Sequence, residues 1–157
     1  MPFYKVTWAE QARRATVYNW GCNFRCKGCT YRLKSESRPE RFAHVDAIRD
    51  TLTRLQPERV HFMGGEPTTC PDLPELLRFC KGTLDATTWL GHTNGSGLIL
   101  EDLDGANVGF KGFHAGRFET YTGRALRDKV YANFEASVRA GLRMRANGIL
   151  IPGQRSE

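Results

Sequence analysis

The hydrophobic pattern along the chain predicts strands and helices in alternation. Apolar runs rich in β-branched and aromatic residues predict five strands, over residues 15–20, 59–63, 87–90, 106–111 and 144–151. Apolar positions at helical spacing predict three helices, over residues 44–55, 72–80 and 126–138. Because strands and helices alternate, we expect parallel strands joined by right-handed crossovers.

The expected fold class is α/β, a partial (open) βα barrel of the TIM type with parallel strands and about five to six βα units. A closed eight-stranded barrel usually takes about 250 residues, whereas this chain has 157. We therefore expect a single domain over residues 1–157. The last strand of an open barrel has a free edge, which proteins normally cover. Either a partner chain covers that edge, or the sequence is a shortened version of a longer protein.

Four polar features directly follow or end the predicted strands. They are the cysteine-rich loop 21–29, the turn 64–67, the Thr93-Asn94 pair and Lys111. Active sites of parallel βα barrels lie at the carboxyl ends of the strands. The four features are therefore expected to meet on one face, which is the candidate active site.

The cysteine-rich loop carries Cys22, Cys26 and Cys29 at C-x3-C-x2-C spacing. Thiolates are ligands that suit iron–sulfur clusters or zinc. A four-iron cluster held by three cysteines leaves one iron open to a substrate or cofactor, so the triplet favours chemistry at the metal. The alternative is a zinc site completed by a histidine or a fourth cysteine, but no such ligand lies at a typical spacing. Cys70 and Cys80 are expected to be structural.

Composition and charge exclude several classes of protein. Hydrophobic residues make up 40% of the chain, which indicates a globular protein, and no run of about 18 apolar residues predicts a membrane span. The N-terminus lacks a secretory hydrophobic region, so we expect a cytoplasmic protein, since thiols stay reduced in the cytosol. The net charge of +6 could attract an anionic partner. Since no basic tract or nucleic-acid motif accompanies it, we interpret it as a generally solvated basic surface.

The cysteine triplet and the segment Met63-Gly64-Gly65-Glu66-Pro67-Thr68 together resemble two motifs of the radical S-adenosylmethionine (SAM) enzymes. The likeness covers residues 15–153. Looser similarities point to the pyruvate formate-lyase activating enzyme branch, which comprises the activases of glycyl radical enzymes. These similarities lie at residues 93–95, 109–111, 121–123 and 149–153. Activases of this type continue further, so the resemblance implies a radical SAM core domain that lacks their C-terminal part.

The chain departs from the family pattern at three positions. Many members have an aromatic residue before the third cysteine, where this chain has Gly28. Well-studied members have acidic residues near the positions of His92 and Gly109, where they help to place a cation beside SAM. Because this chain lacks both carboxylates, that cation site is not carried over.

The resemblance also implies the cofactors and the residues that bind them. The cysteine triplet would hold a 4Fe–4S cluster. The residues implied to bind SAM are Gly64, Gly65, Glu66, Pro67, Asn94 and Lys111. Among these, Glu66 would accept a hydrogen bond from the SAM amino group. Tyr31 could pack near the adenine, and strand alternation makes Asn147 a further candidate contact. No catalytic residue is assigned beyond the cluster ligands.

The implied activity is that of an activase-like radical SAM oxidoreductase. Such an enzyme cleaves SAM reductively into methionine and a 5′-deoxyadenosyl radical, which abstracts a hydrogen atom, here from a glycine of a glycyl radical enzyme. An electron donor such as a flavodoxin or ferredoxin is the other expected partner. Two alternatives stay open: a radical SAM enzyme that modifies a small molecule or nucleotide, and a non-catalytic iron–sulfur binding or electron-transfer module.

Overall fold

The computed structural model describes residues 2–31, 38–98 and 100–148. Six strands form one sheet in chain order; they are β1 (Phe3–Ala9), β2 (Arg14–Asn19), β3 (Arg59–Gly64), β4 (Thr87–Thr93), β5 (Gly105–Phe110) and β6 (Arg143–Gly148). The α-helices of these residues are α1 (Val45–Leu55), α2 (Leu73–Gly82), α3 (Ala115–Thr122) and α4 (Arg127–Arg139). Strands β2 to β6 pair in parallel, which confirms the predicted open α/β fold.

One edge of the sheet departs from the prediction of parallel strands. Strand β1 pairs antiparallel with β2, and the hydrophobic pattern does not predict it. In β1 only Phe3 is buried, while the other positions are partly or fully exposed. An edge strand with a single buried residue carries too little alternation to be recognised from sequence.

The connections between the parallel strands differ in their helices. Helix α1 lies between β2 and β3, and α2 lies between β3 and β4. Helices α3 and α4 both lie between β5 and β6. The link from β4 to β5 has no helix in its described residues, 94–98 and 100–104. Helix α3 escapes sequence prediction because Gly116 and two threonines weaken its helical pattern. The predicted strand residues 149–151 lie outside the described residues.

The core lies between the helices and one face of the sheet. Its fully buried members come from successive strands and from the helices; they are Val17, Phe62, Leu90, Val108, Leu52, Leu76, Leu77 and Val130. Cys70 and Cys80 are also buried there, as expected of structural thiols, and burial raises the pKa of Cys80 to about 12. Because side chains alternate along a strand, the intervening residues face the opposite side, which we call the inner face.

No helix of the described residues combines the length and the apolar character that crossing a membrane would require.

Candidate active site

The cysteine-rich loop leaves the end of β2 and is held in place by helix α3. The backbone N–H of Arg25 donates to the carbonyl of Thr122 at 2.8 Å, and that of Lys27 donates to the carbonyl of Tyr121 at 3.0 Å. In addition, Arg124 Nε donates to the carbonyl of Asn23 at 2.9 Å. The loop is therefore positioned by the carboxyl end of a helix that lies about 90 residues further along the chain.

The Gly64-Gly65 turn at the end of β3 packs directly against the start of this loop. Gly64 has a φ of +121°, and a Cβ atom there would lie 2.2 Å from the carbonyl oxygen of Asn19. A Cβ atom at Gly65 would lie 1.8 Å from the carbonyl oxygen of Gly21. Glu66 N–H donates to that same Gly21 carbonyl at 2.9 Å. Only glycine allows this close approach of two backbones.

The Glu66 carboxylate is fully buried and connects the ends of β3 and β4. Its Oε1 atom accepts hydrogen bonds from Thr93 Oγ1 at 2.6 Å and Thr68 Oγ1 at 2.7 Å, and its Oε2 atom accepts one from Asn94 N–H at 2.6 Å. Burial raises the pKa of Glu66, and these donors partly offset that effect. The carboxylate thus fixes the Thr93-Asn94 segment, while its expected bond to the SAM amino group stays a prediction.

The Cys22 thiol lies within a network of amide groups. Phe24 N–H donates to Cys22 Sγ at 3.3 Å, and Asn94 Nδ2 lies 3.7 Å from the same sulfur. Asn94 Nδ2 also donates to Asn23 Oδ1 at 2.8 Å. Burial, above all, raises the pKa of Cys22 to about 11. The amide donors act in the opposite direction, and they are positioned to stabilise a thiolate once a metal has displaced its proton.

These features surround one pocket of about 440 Å³. The predicted site residues that line it are Cys22, Cys26, Cys29, Gly64, Gly65, Glu66, Asn94 and Lys111, together with Tyr31 and Asn147. Pro67 does not line it; this residue is buried at the first position of the short 3-10 helix Pro67–Thr69. At the pocket wall, Lys111 Nζ lies over Gly109, where a Cβ atom would be 2.8 Å away. The expected convergence at the strand ends therefore holds for this set of residues.

The pocket also contains residues that sequence reasoning did not assign to it, among them Phe24, His92 and Tyr121. His92 is exposed, and its Nε2 atom lies 3.5 Å from Asn147 Nδ2. Tyr121 belongs to helix α3, which the hydrophobic pattern does not predict. The one sequence signal for it is that residues 121–123 resemble a segment of the activases. Thr93, which the sequence places at this face together with Asn94, also lines the pocket.

The donor set of this pocket suits a cluster with one iron open to SAM. Three thiols approach from one loop, amide groups lie beside Cys22, and the glycine turn leaves room opposite them. Among the described residues, no three His, Cys, Asp or Glu side chains surround the position of a single metal ion.

Comparison with known proteins identifies the family. The family model described as the radical SAM superfamily matches residues 19–157. The chain belongs to the radical SAM superfamily. Enzymes of this superfamily use a 4Fe–4S cluster and SAM, and the match supports an enzyme of this class.

The radical SAM chain is similar in sequence to enzymes that act on nucleotides. It is 30% identical to a GTP 3′,8-cyclase of Edwardsiella ictaluri over 84% of this chain and 44% of the relative. It is 31% identical to a GTP 3′,8-cyclase of Chlorobaculum tepidum over 66% of this chain and 34% of the relative. An S-adenosylmethionine-dependent nucleotide dehydratase of Flammeovirga pacifica is 34% identical over 52% of this chain and 30% of the relative. The chain spans less than half the length of these relatives, and none of the three is an activase.

Among solved structures, the chain resembles SuiB of Streptococcus suis. The TM-score is 0.63 at 18% identity for SuiB bound to its precursor peptide SuiA, over 81% of this chain and 30% of that chain. At this identity the similarity shows a common fold.

Proposed function

We propose that this chain is the core of a radical SAM enzyme that modifies a phosphorylated nucleotide. The observation that carries the proposal is a second pocket, lined by arginines, on the same inner face as the cysteine pocket. When bound, the cluster and SAM supply one-electron chemistry that removes a hydrogen atom from a substrate carbon. The residues of this chain would bind the phosphates and direct the substrate toward that chemistry.

The arginine pocket has a volume of about 490 Å³ and opens at the amino ends of the strands. Its lining residues are Arg59, His61, Thr87, Trp89, Asn107, Arg143 and Arg145. None of these described lining residues is acidic, so their positive charge is not neutralised within the lining. A pocket with one sign of charge concentrates ligands of the opposite sign.

A further arginine, Arg14, lies beside this pocket. It is paired in register with Arg59 across β2 and β3. Its buried Nε atom has no hydrogen-bond partner among the described residues. A buried guanidinium donor without an acceptor is costly, and a phosphate oxygen would satisfy it.

Trp89 holds two of the arginines in position. The guanidinium carbons of Arg143 and Arg145 lie 5.8 Å and 5.7 Å from the centre of its ring. His61 stacks on the same indole at a centroid distance of 6.5 Å. Guanidinium groups held in this way keep their planar donors free for bidentate contacts with phosphate.

Strand β6 links the two pockets. Arg145 lines the arginine pocket and Asn147 lines the cysteine pocket. They are two residues apart, so their side chains project from the same face of the strand, roughly 7 Å apart along it. A nucleotide with its phosphates on the arginines could therefore extend its sugar toward the cysteine pocket, and the nucleotide substrates named for the relatives support this class of ligand.

Replacing Arg59 and Arg145 by glutamine tests the proposed phosphate contacts. Each substitution removes a charged donor, so affinity for nucleoside triphosphates should fall about tenfold or more per residue, and the affinity of wild type should itself fall with added salt. Equilibrium dialysis with ATP, GTP, CTP and UTP measures both effects. Arg78→Gln, an exposed arginine on α2, is the matched control. Equal affinity of wild type and the double variant for every triphosphate would contradict the proposal.

The pH dependence of binding gives a second prediction. Burial, followed by the charges of Arg14 and Arg59, lowers the pKa of His61 to about 4. Between about pH 4 and 6.5 the unfolded chain therefore binds more protons here than the folded chain, and stability falls as the pH falls. A bound phosphate would raise this pKa again, so ATP affinity should strengthen toward pH 5 relative to His61→Gln. The variant corrects for protonation of the phosphate itself, and parallel pH profiles for the two proteins would contradict a phosphate beside His61.

The activase hypothesis is the competing proposal, and it rests on local sequence similarity alone. It predicts SAM cleavage that depends on a glycyl radical enzyme, whereas the nucleotide hypothesis predicts dependence on a nucleotide. Under either proposal the partners include an electron donor such as a flavodoxin or ferredoxin, and a reducing compartment such as the cytosol suits the thiols. The edge of β6 stays the proposed site for a covering segment or a partner chain.

A further inference from the structure

Asn94 lies between the Glu66 carboxylate and the Cys22 thiol, and it contacts both. Its backbone N–H donates to Glu66 Oε2 at 2.6 Å, and its side-chain Nδ2 atom donates to Cys22 Sγ at 3.7 Å. Only 8% of the surface of Asn94 is exposed. One residue at the end of β4 therefore supplies N–H groups both to a buried carboxylate and to a proposed cluster ligand.

The orientation of the Asn94 side chain is fixed by hydrogen bonds within the protein. Ser96 N–H donates to Asn94 Oδ1 at 2.9 Å, and Asn94 Nδ2 donates to Asn23 Oδ1 at 2.8 Å. Asn23 is held in turn by a bond of 2.8 Å from its Nδ2 atom to Ser96 Oγ. Turning the Asn94 amide over would bring two donors together at Ser96 and two acceptors together at Asn23. The amide nitrogen therefore stays directed at the cysteine-rich loop.

Both hydrogens of Asn94 Nδ2 have acceptors in this arrangement. An amide nitrogen carries two hydrogens; one is directed at Asn23 Oδ1 and the other at Cys22 Sγ. This side chain thus has no donor left for a ligand in the pocket, although the family resemblance implies that Asn94 binds SAM. The contact to sulfur gains most when a metal binds, because a metal-bound cysteine is a thiolate and an N–H group bonds more strongly to an anion.

Donors at a ligand sulfur affect how readily a cluster accepts an electron. The reduction potential of an iron–sulfur cluster depends on its net charge and on the hydrogen bonds to its sulfurs. Reduction adds one negative charge, and an N–H group directed at a ligand sulfur stabilises that charge. Cys22 Sγ receives two such donors, since Phe24 N–H also donates to it at 3.3 Å. The donor from Phe24 belongs to the backbone, whereas the donor from Asn94 can be removed by substitution.

We propose that Asn94 is a positioning residue that acts through Cys22: its amide raises the reduction potential of the bound cluster and does not contact SAM. With a higher potential, an electron donor of a given potential reduces a larger fraction of the cluster. The proposal rests on the cofactor of the superfamily and on Cys22 as a ligand, and it is independent of the nucleotide substrate proposed above.

The test removes an amide at each of two positions that hold the same turn. Asn94→Leu keeps a side chain of similar size, and Asn94→Ala removes the amide without adding bulk. Asn133→Leu and Asn133→Ala are the matched controls, because Asn133 Nδ2 donates to the carbonyl of Gly95 at 2.8 Å but does not line the cysteine pocket. An anaerobic redox titration of the reconstituted proteins, without SAM or nucleotide, measures the potential through the EPR signal of the reduced cluster.

Both Asn94 variants should assemble the cluster and have a lower reduction potential than wild type. Loss of one donor to a charged sulfur should lower the ratio of reduced to oxidised cluster about tenfold, which corresponds to about 59 mV for a one-electron couple. The Asn133 variants should keep the wild-type potential, even where thermal unfolding shows an equal loss of stability. Affinity for SAM, measured by dialysis with the oxidised cluster, should stay close to that of wild type in all four variants.

A wild-type potential in both Asn94 variants would overturn the proposal, and weaker SAM binding in them would then assign the amide to SAM. A fall of equal size in the Asn133 variants would also overturn it, because the effect would then come from the turn as a whole. Iron and sulfide content is measured on every protein, and a reconstituted wild type without iron would refute the cluster assignment on which the proposal rests.

Discussion

The Cys26→Ala protein is expected to fold and to lose both cluster assembly and SAM cleavage. Cys26 lies in a loop that is fixed by backbone hydrogen bonds to α3 and by the packing of Phe24, so we expect the loop to keep its place when the thiol is removed. With one thiol removed, only two of the three proposed cluster ligands remain. Mutation of a residue that only orients a metal ligand typically lowers metal affinity or activity about 10–100-fold. Because Cys26 would itself be a ligand, we expect SAM cleavage to fall by more than about 100-fold.

The measurement is iron and sulfide content after anaerobic reconstitution, together with 5′-deoxyadenosine formed under reducing conditions. Cys80→Ala is the matched control, because Cys80 is buried on α2 outside the pocket. That variant should keep its cluster and lose about 1–2 kcal/mol of stability through a small cavity. A full complement of iron in Cys26→Ala, with wild-type SAM cleavage, would contradict the assignment of this cysteine as a ligand.

Gly65→Ala should lower the free energy of unfolding by roughly 2–4 kcal/mol and abolish SAM binding. The new methyl group would be placed 1.8 Å from the Gly21 carbonyl oxygen, so the turn after β3 and the cysteine-rich loop must separate. That movement also breaks the hydrogen bond from Glu66 N–H to the same carbonyl. Overpacking and the lost hydrogen bond together account for a change of this size.

Urea unfolding and SAM dialysis measure the two effects. Gly82→Ala is the control, since a Cβ atom at the end of α2 would meet nothing within 4 Å, and it should change stability by less than about 1 kcal/mol. If Gly65→Ala unfolds at the same urea concentration as wild type and binds SAM normally, the close approach of the two backbones is not required for stability or for SAM binding, and the inference is contradicted.

The parallel strands and the site at their ends could be predicted from the sequence, because both depend on local patterns. The spacing of apolar residues that distinguishes a helix from a strand is contained within a single element. Polar residues that directly follow the apolar strands fall at one end of a parallel sheet. The cysteine triplet and the Gly64-Gly65 turn are each contained in one loop. Strand β1 and helix α3 could not be predicted, because one has a single buried residue and the other contains weak helix formers.

The arginine pocket could not be predicted, because its charges come from separate strands. Arg14, Arg59 and Arg145 are far apart in sequence, and only the register of the sheet brings them to one face. The interpretation of the net charge as a generally solvated basic surface stays a prediction: Arg59, Arg143 and Arg145 are exposed on the inner face, whereas Arg14 Nε is buried. Tyr121 escaped prediction for a similar reason, since its place beside Gly28 depends on how α3 docks.

We propose that this radical SAM chain acts on a phosphorylated nucleotide held by the arginine pocket. The most direct measurement is 5′-deoxyadenosine formation by the anaerobically reconstituted protein with SAM and reductant, with and without each of the four nucleoside triphosphates. We predict that at least one triphosphate increases the product severalfold, and that the increase is lost in the Arg59→Gln and Arg145→Gln double variant but kept in Arg78→Gln. SAM cleavage that no triphosphate changes would contradict the nucleotide assignment.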